Sequence, residues 1–343
     1  MLINEIDYNL PDSLIAHEPS SPRDQSRLMV INRVKKSIQH HNFFELADFL
    51  QPEDVLVFNN TKVLKARLFG KKLTGGAVEV FLLEQIDEKN WFCLLYPARR
   101  LKEGEIIKIS DAFEIRIIKK YLDGNKHQIE FLNDTPCYDL INQFGNIPLP
   151  PYIKIKDKTY QEFEQDYQTV FAENLGSVAA PTAGLHFTSE LIQKLKLKKI
   201  DIEYITLHVG LGTFLPIKTA EIQDHKMHKE WYNVAKNTAQ KLSKAHQEKK
   251  RIIAVGTTVT RVLETIFQKD NFAAGTGYTD IFICPGYEYK AISGLITNFH
   301  LPKSTLLLLV KAFAGGRLID DAYKIAIEKK YRFYSFGDAM FIA

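Results

Sequence analysis

The chain has 343 residues, of which 45% are apolar and 25% are charged. This length predicts roughly two domains with a full hydrophobic core. A net charge of +4 neither requires nor excludes a nucleic-acid partner. Three cysteines far apart in the sequence, Cys93, Cys137 and Cys284, argue against a disulfide framework or a zinc knuckle and predict a reducing, cytoplasmic location. The first residues lack a secretory signal, and the most apolar run, residues 306–310, is too short to span a membrane.

Two buried strands are predicted near the N-terminus, "LMVINR" at 28–33 and "DVLVFNN" at 54–60. Arg23, Asp24 and Arg27 lie just before the first of them. Paired arginines suit a phosphate or a carboxylate. A surface ion-pair cluster is the alternative interpretation of the same residues.

Residues 64–135 alternate short β-like runs with turns such as "TGG", "KEG" and "LDGN". Strands at this spacing predict a small antiparallel barrel or sandwich. Strand alternation places Lys65 and Arg67 on one face, opposite Leu64, Ala66 and Leu68. That basic face is a candidate contact for an RNA backbone, although the pattern favours a solvated strand face slightly more.

Prolines at 148, 150 and 151 then predict a stiff, extended connector. The rest of the chain mixes elements: helices are predicted over 188–199 (with Thr188 as N-cap), 257–268, 304–316 and 318–331, and strands over 251–256 and 279–286. The predicted fold class is therefore α/β, a larger discontinuous α/β domain (1–62 plus 149–343) with an inserted small antiparallel β-barrel domain (63–148).

Three loops combine small residues with a histidine: "GSVAAPTAGLHFT" (176–188) with His186, "YITLHVGLGTFLPI" (204–217) with His208, and "TNFHLPKSTLLLLV" (297–310) with His300. Glycine lets backbone N–H groups approach a ligand closely. None of the three contains a phosphate-binding P-loop, a nucleophile elbow or a dinucleotide-binding fingerprint. The competing interpretations are a tightly packed structural loop for the first, a strand with a glycine turn for the second, and a loop whose Ser304 caps the following helix for the third.

His225 and His228, with Asp224 and Glu230 nearby, have a spacing that a helix could offer to a metal. The segment lacks an H-E-x-x-H motif and a clear third ligand. No metal site is expected here.

Twelve segments appear in the order of one family, and together the chain resembles the S-adenosylmethionine:tRNA ribosyltransferase-isomerases of queuosine biosynthesis over nearly its whole length. The resemblance is carried by "YNLPDSLIAHEP", "PRDQSRL", "DVLVFNNTKVLKARLFG", "PLPPYI", "YQTVFA", "GSVAAPTAGLHFT", "TLHVGLGTF", "HKMHKEWY", "AVGTTVTRVLE", "TDIFICPGY", "LITNFHLPKSTLLLLVKAFAG" and "YRFYSFGDAM". The chain departs from the family's usual residue at His17, Asn60, Lys62 and Ser293, where Gln, Asp, Arg and Asp are common.

This resemblance implies that S-adenosylmethionine is a co-substrate that donates its ribosyl portion rather than its methyl group. The acceptor is the aminomethyl group of a 7-deazaguanine at the tRNA wobble position, and the products are epoxyqueuosine-tRNA, adenine and methionine. No metal or permanently bound cofactor is implied. A monomer that does not bind membranes is expected.

The proposed chemistry needs a base for the ribose C5′ proton next to the sulfonium, and hydrogen bonds to the departing adenine. Histidine suits either task near neutral pH. The catalytic candidates are His186, His208, His300, Asp24 and Asp338, with His186 or His208 as the base. The cofactor-binding candidates are Thr182, Gly184, Gly210, Gly212, Thr213 and Asp280, and the backbone of residues 182–186 is the candidate carboxylate site. The tRNA-binding candidates are Arg23, Arg27, Lys62, Lys65, Arg67 and Lys303.

Two other functions fit parts of the sequence. An S-adenosylmethionine-dependent RNA methyltransferase would need a glycine-rich strand-to-helix turn, which "AAGTGYTD" (273–280) only partly resembles. A non-catalytic RNA-binding barrel module would leave the small-residue loops without a role.

Overall fold

The computed structural model describes residues 3–121, 126–150, 152–153, 159–210, 219 and 221–343. Its strands in chain order are β1 Arg27–Asn32, β2 Ser37–Asn42, β3 Val55–Asn59, β4 Thr61–Val63, β5 Arg67–Lys72, β6 Ala77–Gln85, β7 Asn90–Tyr96, β8 Ile106–Ser110, β9 Phe113–Lys120, β10 Lys126–Phe131, β11 Asn174–Ser177, β12 Asp201–Leu207, β13 Glu230–Val234, β14 Ile252–Val255, β15 Phe267–Gln268, β16 Asn271–Phe272, β17 Gly275–Thr279, β18 Gly294–Asn298 and β19 Ala339–Ile342. Its α-helices are α1 Cys137–Phe144, α2 Tyr160–Asp166, α3 Ser189–Leu197, α4 Lys236–Gln247, α5 Thr257–Ile266, α6 Thr305–Ala314 and α7 Gly316–Glu328. Within these residues no helix is both long and apolar enough to cross a membrane.

The larger sheet has nine strands in the order β17-β13-β12-β3-β14-β18-β19-β1-β2. Strands β12, β3, β14 and β18 run parallel to one another. Every residue of β3, β14 and β18 is buried, as expected for parallel strands covered on both faces. Helices α4 to α7 pack on one face and α3 packs on the other. The α/β class is confirmed.

The helix ends follow their sequence signals. Thr188 accepts a hydrogen bond from the Leu191 amide at the start of α3, and Ser304 accepts one from the Leu307 amide at the start of α6. Gly315 ends α6 with a positive φ of 90°, which glycine adopts without strain. Helices α1, α2 and α4 are additional to the predicted set.

The predicted strand over 279–286 is wrong. The strand is β17, which ends at Thr279, and residues 280–286 join no sheet. Pairing with β13 stops at Thr279, and the Arg261 guanidinium donates to the carbonyl oxygen of Ile281, just beyond the last paired residue. Glycine is needed within β17 because a Cβ at Gly277 would lie 2.6 Å from the Tyr232 hydroxyl oxygen.

The six strands β5 to β10 form a closed antiparallel barrel in the order β10-β7-β6-β5-β8-β9. Alternate residues point inward, as Trp91, Cys93 and Leu95 do along β7. Helix α1 adds Leu140 and Ile141 to the barrel core. The predicted barrel is therefore present.

The barrel is connected to the larger sheet where β3 ends. Strand β4 continues directly from β3 and pairs in parallel with β11, and the Leu64 amide donates to the Ser177 carbonyl oxygen. A separate apolar cluster that includes Val63, Ile147, Phe163 and Phe336 fills the junction. The barrel therefore begins beside the carboxyl edge of the parallel strands.

Candidate active site

The three histidine loops lie at one edge of the larger sheet. His208 follows β12, and His300 follows β18, so both lie at the carboxyl ends of parallel strands. Strands β19 and β1 run opposite to β18, so their first residues lie at this edge too, in register with Asn298. In open α/β sheets, ligands bind at the carboxyl ends of the strands.

His186 is the centre of a buried hydrogen-bond network. Its Nδ1 lies 2.8 Å from the Ser26 hydroxyl and its Nε2 lies 3.0 Å from the Asn298 amide nitrogen. The same amide donates to the Tyr334 carbonyl oxygen, and its oxygen accepts from the Thr182 hydroxyl. Because the Asn298 nitrogen is a donor, Nε2 accepts and Nδ1 carries the proton. Both ring nitrogens of His186 are thus bonded within the protein.

His300 lines a narrow cleft next to this network. Its Nε2 lies 2.8 Å from the Thr297 hydroxyl, and its backbone N–H donates to the Tyr323 hydroxyl. The cleft is also lined by Thr182, Asn298, Phe299, Leu301, Ser304, Leu306, Tyr334 and Ser335. Tyr334 has a φ of 77°, which is strained for an aromatic residue and is common at functional sites. A mostly apolar cleft with a few polar groups is the usual form of a small-molecule site.

His208 is half-buried and lies between two covering surfaces. Its ring stacks on Trp231 with centroids 4.8 Å apart and planes 19° apart. A Cβ at Gly176 would lie 2.6, 2.8 and 2.9 Å from three neighbouring ring atoms, which places Gly176 over the ring face. The Nδ1 atom lies 2.8 Å from the Thr61 hydroxyl. The ring is therefore held firmly, and among the described residues no hydrogen bond to its Nε2 is present.

A buried ion pair supports the chain beyond His208. Glu230 is paired with Arg261, and both side chains are 3% exposed. A second oxygen of Glu230 accepts a hydrogen bond from the Gly210 amide at 3.0 Å. Arg261 also donates to the carbonyl oxygens on either side of Asp280, which is itself exposed at this edge. The pair therefore ties the His208 loop to the end of β17.

All three histidines are neutral near pH 7. Burial lowers the pKa of His186 to about 3, with smaller contributions from Arg332 and Arg23. Burial alone lowers the pKa of His300 to about 3 and that of His208 to about 4. A neutral imidazole is the protonation state that a general base requires.

The remaining catalytic candidates make contacts that connect elements. Asp338 is 1% exposed and accepts from the backbone amides of Arg27 and Arg332, while burial raises its pKa. Asp24 accepts from the Thr188 hydroxyl at 3.2 Å, next to the His186 loop. Both aspartates lie at the same edge as the histidines, but neither contacts a histidine directly.

The six tRNA-binding candidates are spread over the surface around this edge. Lys62 is exposed, whereas Lys65 is paired with Glu164 and Lys303 with Asp7. The other three are arginines bonded to protein groups. Arg23 donates to the carbonyl oxygens of Gln165 and Gln168. Arg27 donates to the carbonyl oxygen of Lys329 and lies over the Tyr331 ring, and Arg67 is paired with Glu79. Lys65 and Arg67 do alternate with buried residues, as the strand pattern predicted.

Gly184 is explained by packing. A Cβ there would lie 2.8 Å from the Phe171 ring and 3.0 Å from a Thr169 methyl group. Gly212 and Thr213 lie outside the described residues. Within the described residues no group of three or more His, Cys, Asp or Glu side chains could hold a metal ion, and Glu230 of the predicted cluster is paired with Arg261.

Sequence reasoning missed the partners that hold the histidines. Ser26 carries no spacing signal, and Asn298 lies in the His300 loop, where its polar side chain suits a binding site but its contact with His186 was not predicted. Thr61 and Trp231 come from segments far from His208 in sequence. An unusual polar residue at the end of a buried strand, such as Asn298, is the signal that could have identified one of them.

Comparison with known proteins assigns the family. The Queuosine biosynthesis protein family matches residues 3–342, and the chain belongs to that family. The chain is 49% identical over 346 residues to the S-adenosylmethionine:tRNA ribosyltransferase-isomerase of Halothermothrix orenii and 51% identical over 344 residues to that of Sulfurihydrogenibium sp., with 100% of each chain covered. A crystal structure of the S-adenosylmethionine tRNA ribosyltransferase of Thermotoga maritima is 37% identical, with a TM-score of 0.56 over 99% of this chain and 100% of that one.

Proposed function

We propose that this enzyme transfers and isomerises the ribosyl moiety of S-adenosylmethionine onto the 7-aminomethyl-7-deazaguanine at the wobble position of tRNA. The products are epoxyqueuosine-tRNA, adenine and methionine. The observation that carries this proposal is the match, over the full length of both chains, to relatives of about half-identical sequence that bear this enzyme name.

S-adenosylmethionine binds, in this proposal, at the carboxyl edge of the sheet, between His208 and the cleft that His300 lines. The segment 176–186 reaches both places, because Gly176 covers the His208 ring and Thr182 lines the cleft. The Gly184 amide already donates to the Pro181 carbonyl oxygen. A carboxylate site on this backbone would therefore use the amides of Thr182 and Ala183, the first in the 3-10 turn.

His208 is the proposed general base. Its Nδ1 is bonded to Thr61, its ring faces are covered, and it is more exposed than His186 or His300. The Thr61 hydroxyl also donates to the Asn174 carbonyl oxygen, at 3.5 Å. This arrangement favours a proton on Nδ1 and a free lone pair on Nε2. His300, at the cleft, is then the group available to hydrogen-bond the departing adenine.

The other predicted features complete the proposal. The enzyme acts as a cytoplasmic monomer, with tRNA contacts among Arg23, Arg27, Lys62, Lys65, Arg67 and Lys303. The domains are 1–62 plus 149–343 and 63–148. The apolar junction around Val63 and Ile147 supports a boundary near these positions, since both ends of the barrel segment meet there.

The decisive experiment incubates the protein with S-adenosylmethionine and a tRNA that carries the aminomethyl-deazaguanine at the wobble position. Adenine and methionine should appear in equal amounts, together with epoxyqueuosine in the RNA. The same tRNA with guanine at that position is the control and should release neither. S-adenosylhomocysteine with methylated RNA would instead identify a methyltransferase, and binding without turnover would identify an RNA-binding module.

The structure offers no support for the methyltransferase alternative. Both glycines of "AAGTGYTD", Gly275 and Gly277, lie in the edge strand β17, and no helix follows directly after this strand. A glycine-rich strand-to-helix turn is therefore absent from that motif.

A further inference from the structure

The turn after β7, residues 96–102, presents an exposed aromatic ring beside two exposed arginines. Tyr96 is 74% exposed, and Arg99 and Arg100 are exposed in the short 3-10 turn Ala98–Arg100. Neither guanidinium contacts an acidic side chain in the part of the chain that the structure describes. A large exposed aromatic ring next to cations without an acidic partner suits a ligand that carries both aromatic rings and negative charge.

Two lysines hold the backbone of this 96–102 turn. Lys120 donates from Nζ to the carbonyl oxygens of Ala98 and Leu101, at 2.9 and 2.6 Å, and Lys72 donates to that of Arg100. Leu101 is buried in the barrel core. These contacts fix the backbone of the turn on the barrel, so that its arginine side chains project outward.

The neighbouring strands extend the surface. Tyr96 lies opposite Glu79, and Glu79 lies opposite Phe69, so all three share the outer face of the barrel. Phe69 is 44% exposed. Glu79 is paired with Arg67, and Glu105 near the turn is paired with Lys72. These acids are already neutralised, which leaves the arginines of the turn to attract an anion.

We propose that the 96–102 turn binds RNA, with Tyr96 stacked on an unpaired base and Arg99 and Arg100 on phosphates. Single-stranded RNA is recognised by aromatic stacking together with cationic contacts. An acidic protein would account for the arginines but not for the exposed rings of Tyr96 and Phe69. That the RNA is tRNA rests on the proposed function; the turn then adds a second contact region, on the barrel, to the site at the sheet edge.

The test measures the dissociation constant for the modified tRNA at several salt concentrations. Tyr96→Ala should weaken binding about tenfold, whereas Tyr96→Phe, which keeps the ring, should bind as the wild type does. Arg99→Glu and Arg100→Glu should each weaken binding and lower the slope of log K against log salt by about one. Lys89→Glu makes the same change of charge at the opposite end of β7 and is the matched control.

The outcomes separate this inference from the proposed function. If the Tyr96 and arginine variants keep the turnover and the tRNA affinity of the wild type, the inference is overturned and the function stays intact. If the protein binds the RNA in a way that depends on Tyr96 but the wild type releases no adenine, the function is refuted and the inference is supported. Equal losses in Lys89→Glu and the arginine variants would indicate a diffuse charge effect and would also overturn the inference. Thermal melts of each variant confirm that the barrel is folded.

Discussion

The burial of His186 makes stability depend on pH in a way that one substitution can isolate. In the folded protein its pKa is about 3, because the ring is buried, with smaller contributions from the nearby positive charges of Arg332 and Arg23. In an unfolded chain the pKa of histidine is about 6.5. As the pH falls below 6.5, the unfolded state takes up a proton that the folded state does not. The stability present at neutral pH is therefore lost progressively between pH 6.5 and 3.

The size of the loss follows from the pKa difference. One pKa unit corresponds to about 1.4 kcal/mol, and pH 5 lies about 1.5 units below the unfolded value. His186 should therefore account for a fall of about 2 kcal/mol in the free energy of unfolding between pH 7 and pH 5. This comparison avoids the range below pH 5, in which carboxylates dominate.

The assay is urea unfolding of the wild type and of His186→Gln at pH 7 and pH 5. Glutamine does not titrate, so the variant should lose about 2 kcal/mol less than the wild type over this interval. His17→Gln, the same change at an exposed histidine, is the control. An equal pH-dependent loss in the wild type and in His186→Gln would refute the argument, because it would mean that His186 titrates alike in both states.

Three further predictions concern the site. His208→Ala should abolish adenine release while leaving tRNA affinity within about twofold, and full turnover would remove His208 from the mechanism. Asn298→Ala leaves Nε2 of buried His186 without a donor, so it should lower the free energy of unfolding by about 1–3 kcal/mol in urea titrations, and an unchanged midpoint would contradict the network. Glu230→Gln leaves the buried Arg261 guanidinium without its counter-charge and should lower the free energy of unfolding by about 3–5 kcal/mol in the same titrations. Glu221→Gln makes the same change at an exposed position and is the control. Equal stability of the two variants would show that the pair contributes nothing to stability.

Local signals in the sequence were reliable where the physics is local. The Thr188 cap, the Ser304 cap and the alternation along the barrel strands each depend on neighbours within a few residues, and each is confirmed. The strand predicted over 279–286 failed because its apolar residues suggested a strand, whereas pairing stops at Thr279 and Arg261 from α5 binds the Ile281 carbonyl oxygen. A contact from a distant helix leaves no trace in the pattern of the segment itself.

The candidate site was predictable as a set of loops but not as a geometry. The sequence singled out the loops of His186, His208 and His300, and all three lie at one sheet edge. Their partners could not be predicted, because Ser26 and Asn298 are 160 and 112 positions away from His186. Only the order of the strands brings them together. Nothing local distinguishes His208, for which the described residues supply a hydrogen bond at Nδ1 only, from His186, with both nitrogens bonded.

The scarcity of large side chains in the segment 176–186 has a structural cause that bears on function. Gly176 allows the His208 ring to lie directly against the backbone, and Gly184 does the same for Phe171. The segment can thus pass over the ring of one histidine, bring Thr182 to the cleft near His300 and place His186 against Asn298, which also lines that cleft. A larger residue at position 176 would press on the His208 ring against Trp231 and force it to shift, so substitution there should alter the proposed base without touching the cleft. The small residues are best understood as the means by which one backbone segment serves two separate parts of the site.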